Sequence, residues 1–181
     1  MTVDRQPRLA GFGYRIDPMV ATDRDGLFAA GSDPVTWAGH PATDRYKREV
    51  FDPYFDLLLA SGQSVVFRTD AGQIIGTSRL YDAPDAPEAV AIGYTFLDCK
   101  FWGGAANFAI KHLLIDHILK TRPEVWFHIA PSNIRSQKAT AKLGATWVHD
   151  HEWGLAGGKV DLWKCYVLTR ADWAATLANR S

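Results

Sequence analysis

The sequence predicts a mixed α/β (α+β) fold: a mostly antiparallel sheet with helices on both faces, in the order β-α-α-β-β-β-α-β-α-β-β-α. Three strand-like segments follow one another between residues 64 and 97, which favours antiparallel pairing of neighbours. A strand-helix-strand unit comes next, and this adds one parallel crossover. The 181 residues, 47% hydrophobic and 22% charged, are enough for one ordinary core. No repeat, low-complexity tract or long linker divides the chain, so residues 8–181 are expected to form a single domain behind a flexible arm of residues 1–7.

Phe12 to Ile16 alternate apolar and polar and read as the first strand, broken by Asp17-Pro18. Thr22 or Asp23 caps a helix to about Ala30, and Gly31-Ser-Asp-Pro34 is a turn cluster. A second helix is read over Asp44–Ala60, burying Val50, Tyr54, Leu57 and Leu58. The three central strands are Ser64–Thr69, Gln73–Tyr81 and Glu88–Leu97. Asp70-Ala-Gly72 turns the first pair, and the proline-broken loop Asp82–Pro87 joins the second. Ala105–Lys120 forms the long helix, with Ile110, Leu113, Leu114 and Ile118 inward and His112, Asp116 and Lys120 on the wet side. Thr121-Arg-Pro123 stops it. A strand over Glu124–Ala130 and a short helix over Asn133–Leu143, ended by Gly144, follow. Strands Ala145–Trp153 and Asp161–Thr169 flank the turn Gly154–Gly158, and a helix over Arg170–Ala178 closes the fold.

Composition narrows the partners. Twenty Lys+Arg against twenty Asp+Glu give zero net charge, which argues against nucleic acid or anionic lipid held by bulk charge. A small anionic ligand needs only a few aligned groups and stays open. Cys99 and Cys165 are too few for a disulfide scaffold and fit a reducing compartment, although one bridge between them is conceivable. The N-terminus has early charges and no apolar signal region. The longest near-apolar stretch, residues 89–97, falls short of the roughly 20 residues of a membrane helix. A cytoplasmic protein without membrane or nucleic-acid partners is expected.

Chemistry concentrates where a strand runs through Gly103-Gly104-Ala105-Ala106 into the long helix. Small residues let a ligand approach the backbone, and the first-turn N–H groups sit unpaired at the positive end of the helix dipole. This is phosphate-binding geometry, or simply a tight turn. No Lys-Ser or Lys-Thr follows, so it is not a P-loop. The dinucleotide fingerprint fails as well, lacking its third glycine and its acidic partner.

A second segment, Asn133-Ile-Arg-Ser-Gln-Lys-Ala-Thr-Ala-Lys-Leu-Gly-Ala145, sharpens the reading. Ile92-Gly-Tyr-Thr95, Trp102-Gly103, Asn107 with Lys111, Asn133 with Ser136, and Leu143-Gly144-Ala145 together resemble the GCN5-related N-acetyltransferase (GNAT) superfamily. The resemblance is greatest to the branch holding ribosomal-protein N-terminal acetyltransferases, and it spans nearly the whole chain. It implies a GNAT-like sheet and an acetyl-CoA-dependent N-acetyltransferase. The acetyl group would pass directly to a primary amine, either a peptide or protein N-terminus or a small molecule. By the same resemblance Phe96 and Leu97 contact the pantetheine arm through their backbone. Trp102 stands where Arg or Gln usually opens the motif, and Gly103, Gly104, Ala105, Ala106 and Asn107 cradle the pyrophosphate. Ala105 replaces the usual second glycine, and Phe108-Ala109 replace a polar residue and a common Glu. Asn133 binds the cofactor arm, caps its own helix, or both. Ser136 or water protonates the leaving thiolate, because Thr140 occupies the usual Tyr position. Trp37 and His40 fall where the family places an acceptor lip. A monomer or homodimer is expected.

The remaining candidates come from chemistry. Acyl transfer needs a neutral amine, and an α-amine, with a pKa near 8, requires little help from a base. Glu152, where members of the resembling family often carry an acidic residue, is the first candidate base and His151 the second. Strand alternation puts His149, His151 and Trp153 on one face and Glu152 on the other. His149 and His151 lack a third ligand at a familiar spacing, so no metal is expected. Arg79 and Tyr81 reach the acceptor cleft or serve packing and ion pairing. Lys138 and Lys142 meet the ribose phosphate or remain solvated. Cys99 is read as a loop substitution rather than an acyl carrier. A different class of function, a non-catalytic acyl-CoA-binding or regulatory module, fits the altered phosphate loop and the missing Tyr.

Overall fold

The computed structural model describes residues 2–154 and 160–180. Residues 155–158 of the expected Gly154–Gly158 turn lie outside them. One sheet of eight strands is built from β1 (Leu9–Gly11), β2 (Tyr14–Pro18), β3 (Ser64–Thr69), β4 (Ile74–Asp82), β5 (Val90–Leu97), β6 (Glu124–Ile129), β7 (Thr146–Trp153) and β8 (Asp161–Thr169). Their spatial order is β1-β2-β3-β4-β5-β6-β8-β7. Every neighbouring pair is antiparallel except β5–β6, the expected parallel crossover. The helices are α1 (Arg24–Ala30), α2 (Pro34–Trp37), α3 (Arg48–Ala60), α4 (Ala106–Leu119), α5 (Ile134–Ala141) and α6 (Arg170–Ala178).

Three local differences from the sequence reading have physical causes. The first strand does not begin at Phe12, because Phe12 (φ 56°) and Gly13 (φ 84°) are left-handed and make a hairpin between β1 and β2. Phe12 tolerates this while stacked on His112, with ring centroids 4.8 Å apart. The turn cluster Gly31–Pro34 starts α2, where Pro34 opens the helix and the Asp33 carboxylate accepts the Val35 N–H. α3 begins at Arg48 rather than Asp44 and buries Phe51, Tyr54, Phe55 and Leu58, leaving Leu57 exposed.

Two apolar layers sandwich the sheet. One joins Met19, Leu27, Trp37, Phe51, Phe55 and Leu58 to Val66 and Phe96. The other packs Ile110, Leu114, Ile115 and Ile118 of α4 and Trp173 of α6 against Val65, Leu80, Val90 and Leu168. The side of α4 expected to be wet is so at Asp116 and Lys120, which are exposed, while His112 is half-buried. Trp173 donates its indole N–H to Asp116 at 2.7 Å and packs edge-on to His112. The N-terminal arm is tied down as well: Val3 is buried in the α4 layer, and Arg5 pairs with Asp82.

Two features of β5 open the sheet. It pairs with β6 only at Val90–Val125 and Ala91–Trp126, so from Ile92 onward the two strands part. Against β4 the register slips by one residue between Thr77–Phe96 and Arg79–Gly93, a bulge at which Tyr94 is left-handed (φ 52°). The Tyr54 hydroxyl pins the bulge by donating to the Tyr94 carbonyl at 3.0 Å.

Candidate active site

The parted strands frame a cavity of about 950 Å³, floored by β5 and β6 and walled by the starts of α4 and α5. Trp102, Gly103, Gly104, Ala105, Asn107, Asn133 and Ser136 line it. The α4 start has no side-chain cap, so its leading N–H groups face the cavity without one. Gly103 is left-handed (φ 73°), and a Cβ built on either Gly103 or Gly104 would meet open space. A cradle with free backbone donors and no side chain in front of them suits a phosphate or pyrophosphate. Among the described residues, six basic ones (Arg45, Lys111, Arg135, Lys138, Lys142 and Arg180) line the cavity against one carboxylate, Asp161. Arg135 lies over the Trp102 ring at 3.5 Å, and Arg180 over Phe108 at 3.8 Å.

Trp102 also donates its indole N–H to the Leu97 carbonyl at 2.8 Å, which fixes the loop against the end of β5. Phe96 and Leu97 line the cavity, but Phe96 turns its ring into the α1–α3 layer. Asn133 caps α5, its side-chain oxygen accepting the Ser136 N–H at 3.1 Å, and it lines the cavity at the same time. Ala106 is buried in the α4 layer and lies outside the lining. Beneath the cavity Lys111 is buried, donating to the Thr95 hydroxyl at 3.1 Å, and burial lowers its pKa to about 7. His40 faces the Thr95 carbonyl at 3.4 Å, and burial, with a contribution from Arg45, depresses it to about 4.

The acceptor and base candidates separate. His40 and Tyr81 line the cavity. Trp37 does not: it is a fully buried core residue whose indole N–H donates to the Gly31 carbonyl at 2.7 Å. Arg79 lines an adjoining 290 Å³ pocket that shares Tyr81 and Tyr94 with the main cavity, and it is held by the Gln63 side-chain oxygen at 2.9 Å. Glu152 and His151 are exposed on β7 at the sheet edge, and neither lines the cavity. His151 instead packs at a tilt against Trp153, with ring centroids 4.8 Å apart. Both cysteines are free thiols, with Cys165 buried and Cys99 outside the cavity lining.

The chain places another polar cluster at the cavity wall that the sequence reading missed. His128 on β6 and Asp85 in the β4–β5 loop are 43 residues apart, so no spacing announces them. The Asp85 carboxylate meets His128 Nε2 at 3.0 Å and His149 Nε2 at 2.8 Å, and His128 Nδ1 meets the Tyr81 hydroxyl at 2.8 Å. Asp85, His149 and Cys165 also supply the grouped ligand atoms that the histidine pair lacked in sequence, all within 4.8 Å of one another. Burial, with the neighbouring Asp85, pushes the Cys165 thiol up to about 12.

The splayed strand pair and the uncapped helix start beside it make a groove suited to an extended, phosphate-bearing ligand. The chain belongs to the GNAT acetyltransferase family, whose "Acetyltransferase (GNAT) domain" profile matches residues 14–146. The fold is also that of a GNAT structure from Chromobacterium violaceum (TM-score 0.80, 15% identity, covering 96% of this chain and 92% of that one). A GCN5-related N-acetyltransferase from Brucella melitensis is similar (TM-score 0.79, 18% identity, 94% and 82% covered). So is Mycobacterium smegmatis RimJ in complex with CoA-disulfide (TM-score 0.66, 14% identity, 99% and 91% covered). No curated protein sequence matches significantly. The family transfers acetyl groups from acetyl-CoA, and the anion-binding cradle and basic lining fit that co-substrate. No helix among the described residues is long and apolar enough to cross a membrane.

Proposed function

We propose that this protein is an acetyl-CoA-dependent N-acetyltransferase acting directly on a primary amine of a peptide N-terminus or a small molecule. The observation that carries this is the uncapped start of α4 facing the splayed, basic cavity. Gly103 to Asn107 would hold the pyrophosphate through backbone donors, and Lys138 and Lys142 would supply charge at the rim. Asn133 and the exposed edge of β5 would align the pantetheine arm, and Ser136 would protonate the departing thiolate. The basic lining supports a neutral amine in another way: positive charge disfavours an ammonium, so the acceptor enters in its reactive form.

The testing experiment measures thiol release from acetyl-CoA across a panel of N-terminal peptides and small amines, with mass identification of the product. Free thiol and an N-acetylated product in equal amounts are expected. Tight acetyl-CoA binding by calorimetry with no release on any amine would mark a binding module instead.

A further inference from the structure

We propose that Tyr81, His128 and Asp85 form a proton relay that serves as the base of this enzyme, with Tyr81 as the catalytic residue and the other two positioning it. This deepens the acetyl-transfer reading and rests on it.

With Asp85 ionised and His128 neutral, each hydrogen bond of the relay has one direction. An ionised carboxylate only accepts, so Asp85 must receive the His128 Nε2–H at 3.0 Å. A neutral imidazole then presents a bare Nδ1, which accepts the Tyr81 O–H at 2.8 Å. Protonation states agree with this order. Burial alone would raise Asp85, but the His128 imidazole and hydrogen bonds from Cys165, His128 and His149 hold its carboxyl below the ordinary value. Burial keeps His128 below its ordinary value despite Asp85, and burial raises the Tyr81 hydroxyl. The resting relay is therefore tyrosine, neutral imidazole and carboxylate.

Position gives the relay something to act on. Tyr81 and His128 both line the large cavity, and Tyr81 also borders the smaller Arg79 pocket. The side chains of Asp85 and His128 are almost fully buried (4% and 0% exposed), so bulk water does not short-circuit them. Gly93 makes the room: a Cβ there would lie 2.9 Å from the Tyr81 oxygen. Trp153 packs edge-on to His128 at 4.7 Å and holds the ring.

In the step itself the amine nitrogen bonds to the thioester carbonyl carbon, and the carbon–sulfur bond breaks. The amine gives its proton to the Tyr81 oxygen as that hydroxyl passes its own to His128 Nδ1. Asp85 stabilises the resulting imidazolium, and the thiolate collects a proton from Ser136 or solvent. The exposed Glu152 and His151 are not needed.

Other groups facing the relay are Arg79 and Tyr94 beside Tyr81, His149 and His151 from β7, and Cys165 from β8. The test must separate their titration from that of His128. The intact protein is assayed from pH 6 to 9 with an acceptor whose amine is neutral throughout. Tyr81→Phe should lower kcat about 100-fold, within the span of general-base effects, with acetyl-CoA affinity within threefold of wild type. In His128→Asn the residual rate should climb about tenfold per pH unit, because bulk hydroxide must now ionise the tyrosine. A uniform drop at every pH would show a structural role only and overturn the relay, as would Tyr81→Phe with wild-type kcat. Independently of turnover, nitrogen-15 NMR should find His128 neutral and protonated on Nε2 at pH 7.5, and Asp85→Asn should alter that tautomer. A His128 protonated on Nδ1 overturns the relay. A wild type that releases no thiol on any amine, with the Nε2 tautomer in place, overturns acetyl transfer instead.

Discussion

The Lys111 ammonium nitrogen lies 3.1 Å from the Thr95 hydroxyl, buried between α4 and the bulged strand β5, with no carboxylate among the causes of its shifted pKa. Burial lowers that pKa from 10.5 to about 7. Above pH 7 the unfolded chain binds this proton and the folded chain does not, so stability should rise by about 1.4 kcal/mol per pH unit up to roughly pH 10. Lys111→Met should abolish that slope and be more stable by about 2–4 kcal/mol at pH 7.5. Urea unfolding of both proteins at pH 7.5, 8.5 and 9.5 checks this.

Gly104 faces open space and does not have a left-handed φ, so a larger residue should fold there without strain. Gly104→Leu is expected to raise the KM for acetyl-CoA more than tenfold while Tm moves by less than about 2 °C. Asn107→Ala should change acetyl-CoA affinity less than threefold if, as proposed, its backbone rather than its side chain meets the phosphate. A hundredfold loss there would make the side chain essential.

Lys138 on α5 and Lys142 at its C-terminal cap line the cavity four residues apart. Reversing both to Glu should raise the KM for acetyl-CoA about tenfold at low salt, with a smaller effect at 0.5 M NaCl, where exposed charges are screened. Equal effects at both salt concentrations would mean that they act by shape.

Ser136→Ala should lower kcat by about 10–100-fold with little change in KM if its hydroxyl serves the leaving thiolate. Glu152→Gln and Cys99→Ala, both away from the cavity lining, should keep kcat within twofold. Loss of turnover in Cys99→Ala with cofactor binding intact would overturn direct transfer.

How far the sequence carried the structure depends on the range of the interactions involved. β3, β8 and α6 end where local pattern and caps place them, because turn glycines and the Thr169 cap act over a few residues. The cradle was legible for the same reason: an uncapped helix start and its small residues are contiguous. The relay was not, since Tyr81, Asp85 and His128 meet only after β4, β5 and β6 have paired. Glu152 and His151 were placed on the correct strand, and their alternation was right. That strand pairs with β8 at the sheet margin, three positions from β5, and only the topology decides this. The left-handed Phe12 and Tyr94 were equally hidden, as each is held by a distant partner, His112 or Tyr54.

The basic lining of the cavity has a consequence for the molecule as a whole. Total charge is zero, so the lysines and arginines gathered there leave an excess of carboxylates over the rest of the chain. Coenzyme A quenches the positive interior on binding and leaves that acidic exterior uncompensated. Loading therefore turns a near-isoelectric particle into an anion that should run faster toward the anode on a native gel. Free and loaded enzyme should also differ in how closely their copies approach at neutral pH.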